Sequence, residues 1–150
     1  MRIFSILGAL IVAASIATAP FRQTSGGPIL AGAEIDSKAL GILQRSCQDC
    51  HSDNTYYPWY SYVAPASLLV KRDVTVGRGH MNLSHWQDYS LPRKERLLSE
   101  IANQVKDRDM PLPQYLLVHR NARLSDDDVK VLFGWTQAER SRLISSAAPQ

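Results

Sequence analysis

Two cysteines and the histidine that follows them form the most informative motif of the chain. Cys47 and Cys50 are its only cysteines, and His51 comes directly after the second. Two cysteines three positions apart face the same side of a helical turn, where they can add as thioethers to the two vinyl groups of one porphyrin edge. His51 would then lie beneath the iron. This C-x-x-C-H spacing therefore predicts one covalently attached haem c, with His51 as an iron ligand.

Three other chemistries also use closely spaced cysteines. A redox dithiol has the same C-x-x-C spacing, but it is expected within a βαβ pattern, which this sequence lacks. A structural zinc site needs further ligands, and His80, His85 and His119 do not form a second close pair. A disulfide between Cys47 and Cys50 stays open for an exported chain, although so small a loop adds little stability.

The sixth ligand of the iron decides the function. A strong permanent ligand suits an electron carrier, whereas an open position suits ligand binding or peroxide chemistry. Met110 is the favoured candidate, because Pro111 and Pro113 stiffen the loop that carries it. Met110 could instead fill an apolar gap under this loop, and the iron could be bound by another residue. The remaining candidates are His80, Met81, His85 and His119.

The N-terminal segment has the pattern of an export signal. After Arg2, residues 3–19 form an almost unbroken apolar run, which predicts a signal peptide or an N-terminal anchor over residues 1–19. At 1.5 Å per residue the run reaches about 25 Å, slightly less than the roughly 30 Å of a bilayer's apolar core. This length favours cleavage near Ala19 and release into the periplasm. An uncleaved segment would tether the protein to the inner membrane.

Composition and charge are those of one folded domain. The chain has 150 residues, of which 45% are hydrophobic, and a net charge of +3. No long run of like charge occurs, so we expect no nucleic acid as a partner. Residues 20–32 contain glycines and prolines among small residues and are predicted to be a linker. The domain itself is predicted over residues 33–145.

The apolar spacing predicts helices and no strand of useful length, so the fold class is all-α. One helix is expected from near Ala33 to the cysteine motif, and another from Pro92 to Lys106. A last helix is expected to open at Ser125, a favourable N-cap residue. Its predicted buried face consists of Val129, Leu132, Phe133 and Thr136. Residues 52–90 are rich in Tyr and Trp and predict loops and short helices around a large flat group.

The sequence from Cys47 to Pro65, CQDCHSDNTYYPWYSYVAP, resembles the bacterial haem-binding domain family of small exported cytochrome c-like proteins. Two later blocks are also similar to this family, and the resemblance covers about residues 40–135. The second block comprises Gly77, Arg78, Met81, Asn82, Leu83, Ser84 and Trp86. The third comprises the sequence MPLP from Met110 together with Tyr115, His119, Ala122 and Leu124.

The resemblance implies a cytochrome c-like helical domain around one haem, with Cys47 and Cys50 as thioether anchors. It also implies His51 as proximal ligand and Met110 as distal ligand. We therefore expect an exported electron carrier that serves redox partner proteins not identifiable from the sequence. The alternative is a haem-based sensor or ligand-binding module with a labile or absent sixth ligand. A peroxidase-like enzyme is not expected, because there is one attachment motif and no evident distal acid/base pair.

Overall fold

The computed structural model describes residues 2–18 and 26–147, and within these ranges it contains helices and no strand. This confirms the all-α prediction. The helices are α1 (Arg2–Thr18), α2 (Ser37–Ser46), α3 (Gln48–His51), α4 (Ala66–His80), α5 (Leu91–Lys106), α6 (Pro113–Val118) and α7 (Asp126–Ala147). Short 3₁₀ turns occur at Trp59–Tyr62, Leu83–Asp88 and Arg120–Ala122.

The hydrophobic core lies mainly between α2, α5 and α7, and α5 packs along α7. In α5, residues at helical spacing are buried, as the sequence predicts. The apolar residues that these helices bury are Ala39, Ile42, Leu43, Leu97, Leu98, Ile101, Ala102, Val105, Leu132, Trp135 and Leu143. Trp86 extends this core from the 3₁₀ turn that precedes α5, and it is also fully buried.

Side-chain caps fix where two of these helices begin. The Asp36 carboxylate accepts hydrogen bonds from the backbone N–H groups of Lys38 and Ala39, at 2.8 and 2.9 Å, so α2 begins at Ser37 and not near Ala33. At the start of α7, Ser125 Oγ accepts from the Asp128 N–H at 3.1 Å. The Ser125 N–H in turn donates to the Asp128 carboxylate at 2.9 Å, which completes a capping box.

The structure corrects three further sequence-based expectations. Residues 52–90 are not only loops and short helices, because they include the 15-residue helix α4. Phe133 does not belong to the buried face of α7, because the register of the helix turns it toward solvent and leaves it 42% exposed. Ile29 and Leu30 are buried in the core, so the packed structure begins within the segment predicted to be a linker.

Helix α1 packs its C-terminal half against the rest of the domain. Ser15 Oγ accepts a hydrogen bond from the Ala64 N–H at 3.0 Å, and α1 also contacts α4. Most of its apolar side chains are exposed, including Ile3 and Phe4. No helix within the described residues is long and apolar enough to cross a membrane. The predicted cleavage position near Ala19 lies outside the described residues.

Candidate haem-binding site

The cysteine motif occupies one helical turn directly after α2. The Cys47 N–H donates to the Leu43 carbonyl at 2.9 Å, and the His51 N–H donates to the Cys47 carbonyl at 3.0 Å. The first hydrogen bond extends the bonding pattern of α2 to Cys47, and the second forms the helical turn of α3. The structure therefore brings Cys47, Cys50 and His51 together on one turn, as the sequence predicts.

The two cysteines do not form a disulfide with each other. Burial raises the pKa of the Cys47 thiol to about 12 and that of Cys50 to about 11, so both are protonated at neutral pH. A redox dithiol works through a thiolate and has a lowered cysteine pKa. The environment of Cys47 and Cys50 is therefore unlike that of a thioredoxin-type site.

A backbone carbonyl holds the His51 ring in place. His51 Nδ1 donates to the Met81 carbonyl at 3.2 Å. Burial lowers the pKa of His51, against the opposing effect of the Met81 and Gly77 carbonyls, so the imidazole stays neutral. With Nδ1 protonated and engaged, Nε2 carries the free lone pair. This is the arrangement of a histidine ligand whose orientation is set by a second hydrogen bond.

Helix α4 packs closely against the motif because Gly77 has no side chain. A Cβ at Gly77 would lie 2.6 Å from the Cys50 carbonyl oxygen, which no real side chain can do without movement of the backbone. The next residue, Arg78, donates from Nε to the Ser52 carbonyl at 2.7 Å and from Nη2 to Thr55 Oγ1 at 2.8 Å. Helix α4 therefore fixes both the cysteine motif and the residues that follow it, Ser52 and Thr55.

The other side of the motif is held by Asp49, which lies between the cysteines. One oxygen of its carboxylate accepts from the Tyr56 N–H at 3.0 Å, and the other accepts from the Tyr115 hydroxyl at 2.7 Å. The Tyr115 ring stacks on His119 with 4.1 Å between centroids, and His119 Nε2 forms a hydrogen bond with the Tyr60 hydroxyl. Burial, and then Asp49, raise the pKa of Tyr115, so its hydroxyl remains a donor.

Met110 lies half-buried between α5 and α6, and its N–H donates to the Gln104 carbonyl at 3.4 Å. The described contacts connect it to the cysteine motif indirectly, through Tyr115 five residues later. Its role as an iron ligand stays a prediction.

The other candidate ligands have different partners. Met81 is 7% exposed and belongs to the hydrophobic core. His80 ends α4 and donates to Glu100 at 2.9 Å. His85 donates from both ring nitrogens, to Asp53 and to Asp88, each at 3.0 Å. His119 is held by Tyr60 and Tyr115, as described above.

The segments that contact the motif also carry exposed apolar side chains. Tyr56 and Trp59, on the loop after it, are 63% and 78% exposed, and Leu117 and Val118, on α6, are 76% and 62% exposed. Covering such side chains with an apolar ligand would be favourable, because it removes apolar surface from water. Two thiols on one turn, a neutral oriented histidine and these side chains fit a large apolar group that carries a metal.

Comparison with known proteins agrees with this fit. The sequence profile of the haem-binding domain family matches residues 9–138. The chain belongs to the haem-binding domain family. This confirms the family expected from the sequence, and with it haem as the bound group.

A curated relative also matches the chain. Over 115 residues it is 25% identical to the cytochrome c peroxidase Ccp of Escherichia coli (strain K12), and the match covers 74% of this chain. The chain spans about a quarter of the length of this relative. No solved structure matches the chain.

Several contacts that shape the site in this family member were not predicted by sequence reasoning. Asp49 occupies a variable position of the motif, and nothing in its neighbours predicts a contact with Tyr115. The packing of Gly77 against Cys50 depends on α4, a helix that the sequence does not predict. The Met81 carbonyl that orients His51 is a backbone group, and no side-chain pattern could have indicated it.

Proposed function

We propose that this protein is an exported mono-haem c-type cytochrome that carries electrons between partner proteins. Cys47 and Cys50 would attach the haem as thioethers, and His51 and Met110 would bind the iron. When bound, the haem supplies one-electron redox chemistry at the iron. The observation that carries the proposal is the His51 ring, oriented by the Met81 carbonyl on the same turn as both cysteines.

The residues of this chain would have distinct tasks in such a carrier. Met81 and Gly77 orient His51, and Arg78 fixes the chain after the motif. The aromatic side chains near the motif would pack on the haem and shield it from water. Exclusion of water and the choice of a thioether ligand both raise the reduction potential. The apolar N-terminal run supports export to the periplasm, where partner proteins of suitable potential would exchange electrons with the haem.

Covalent attachment is tested by extraction. Protein produced with a haem-attachment system should keep its haem after denaturation in acidic acetone, whereas Cys47→Ala/Cys50→Ala should release it. The single variants, each with one possible thioether, are the matched controls and should retain covalent haem in lower yield. Wild-type protein that loses all colour to the solvent would disprove covalent attachment.

Ligation by Met110 is tested with a substitution of similar volume. A thioether bound to ferric haem gives a weak charge-transfer band at the red end of the visible spectrum. Met110→Leu should abolish this band, lower the reduction potential and let ferrous protein bind carbon monoxide. Met81→Leu is the comparison, because Met81 is the other candidate thioether. Its backbone carbonyl, which holds His51, is retained, so the charge-transfer band should remain. An unchanged Met110→Leu protein would favour the sensor or ligand-binding alternative.

Peroxide reduction is the second candidate, supported by the similarity to the cytochrome c peroxidase of Escherichia coli. The single C-x-x-C-H motif and the partial coverage of that relative favour electron transfer instead. Purified haem-loaded protein should therefore oxidise a reduced electron donor with hydrogen peroxide no faster than an equal concentration of free haem. A turnover well above that background would make the enzyme the better proposal.

A further inference from the structure

Tyr115 lies where the segment that carries Met110 meets the attachment motif. Helix α6 begins at Pro113, three residues after Met110, and Tyr115 is in its first turn. The hydroxyl of Tyr115 donates to Asp49 Oδ2 at 2.7 Å, and Asp49 is located between Cys47 and Cys50. A single side-chain hydrogen bond thus joins α6 to α3.

Further contacts fix the position of the Tyr115 ring. It stacks on His119 with an angle of 8° between the ring planes, and the Tyr60 hydroxyl holds His119 in turn. Beside it, Gln114 Nε2 donates to Asp73 Oδ2 of α4 at 3.3 Å. A six-residue helix has little stability alone, so contacts such as these determine where α6 lies.

We propose that Tyr115 is a positioning residue for the distal ligand. The hydrogen bond from Tyr115 to Asp49 holds the segment that carries Met110 against the attachment turn. The inference rests on the proposed function, since it takes Met110 as a ligand. Pro111 and Pro113 restrict the backbone between Met110 and Tyr115. A displacement of Tyr115 therefore also displaces Met110, because the backbone between them cannot change conformation freely.

The test uses haem-loaded protein with Tyr115→Phe, which removes the hydroxyl and keeps the stacked ring. The thioether charge-transfer band should weaken, and carbon monoxide should bind the ferrous protein about ten-fold faster, the shift expected when one hydrogen bond to a carboxylate is lost. Tyr62→Phe is the matched control. Tyr62 lies in the 3₁₀ turn Trp59–Tyr62 and is 46% exposed, so its variant should resemble the wild type.

Substitutions at Asp49 test the same bond from its other end. Asp49→Ala should weaken the band at least as much as Tyr115→Phe, because it also removes the acceptor of the Tyr56 N–H. Adding Tyr115→Phe to Asp49→Ala should weaken the band no further, because the bond between the two residues is already lost. Asp49→Asn keeps an oxygen that can accept from Tyr115 and should retain the band. If Tyr115→Phe gives no folded holoprotein, the comparison of Asp49→Ala with Asp49→Asn decides the question.

Two results would overturn the inference, and they are distinguishable. If the wild type shows the band and folded Tyr115→Phe keeps it, with the same rate of carbon monoxide binding, Tyr115 has only a structural role. In that case Met110 remains the ligand, and only the midpoint of unfolding changes. If the wild type lacks the band and binds carbon monoxide readily, there is no distal thioether to position, and the proposed ligand set falls as well.

Discussion

Gly77 allows α4 to touch the backbone of the attachment turn. A methyl group there would lie 2.6 Å from the Cys50 carbonyl oxygen, whereas at Gly79, two residues later in the same helix, it would meet nothing within 4 Å. The two glycines of this helix thus have opposite effects on stability. Gly77 is required for close packing, whereas Gly79 only makes the helix less stable.

Gly77→Ala should lower the free energy of unfolding of the holoprotein by about 1–3 kcal/mol, because the backbone must shift to relieve the overlap. Gly79→Ala should raise it by about 0.5–1 kcal/mol through helix propensity. Urea denaturation followed by helical circular dichroism measures both. Equal effects of the two substitutions would mean that α4 does not pack on Cys50 in solution.

His85 couples the loop after the motif to the turn before α5. Its hydrogen bonds, first to Asp88 and then to Asp53, raise the pKa of its imidazole above 6.5. A group whose pKa is raised by folding stabilises the folded state fully below its ordinary pKa, and this contribution is lost as pH rises through the folded value.

The stabilisation due to His85 should therefore be present at about pH 5.5 and largely absent at about pH 8.5. The measurement is the difference in melting temperature between wild type and His85→Gln, which should be larger at the lower pH and should shrink in high salt. Lys71→Gln, a change of charge on the exposed face of α4, is the control and should give no pH-dependent difference. A difference independent of pH would contradict an ionised His85.

At the scale of elements, the sequence predicts the helices whose apolar faces are buried and whose caps are local. The sequence places α5 within one residue of its observed start, and Ser125 marks the start of α7. The sequence does not predict α4, because this helix buries few residues and contains two glycines, so neither periodicity nor composition indicates it. Within the site it predicts the attachment turn, which is local, and misses contacts such as Tyr115 with Asp49, which join distant positions.

The cap of α7 gives a prediction at this scale. Ser125→Ala removes the side-chain acceptor of the Asp128 N–H and should cost about 1 kcal/mol of stability. Ser141→Ala in the middle of the same helix should be neutral or slightly stabilising, since its Oγ only bonds back to the Gln137 carbonyl. Thermal unfolding of both variants measures the contrast, and a Ser125→Ala protein as stable as the wild type would refute the role of the cap.

At the scale of the whole molecule, the chain before α2 is joined to the last helix by hydrogen bonds around the buried carboxylate of Glu139. Glu139 is 1% exposed and receives two hydrogen bonds from the Arg142 guanidinium, each 2.6 Å long. It also accepts the Glu34 N–H at 3.2 Å, and the Glu34 carbonyl accepts from the Trp135 indole. The chain before α2 is thus fixed to the last helix.

Arg142→Leu should destabilise the protein by about 3 kcal/mol, because it leaves the Glu139 carboxylate buried without its partner. Glu139→Gln/Arg142→Leu should recover most of this loss, since the amide that replaces the carboxylate carries no charge and still offers an oxygen to the Glu34 N–H. Equilibrium unfolding in urea measures the free energy of unfolding of each variant. Additive losses in the double variant would show that the pair contributes no coupling.

The packing of α4 on the attachment turn has a consequence for how the protein matures. With pKa values of about 12 and 11, Cys47 and Cys50 are almost entirely protonated once the domain is folded, and Gly77 already packs on the backbone of Cys50. An attachment enzyme that must reach both sulfur atoms would have more room around the motif before α4 docks than after. Haem loading and folding of the empty chain would then compete in time.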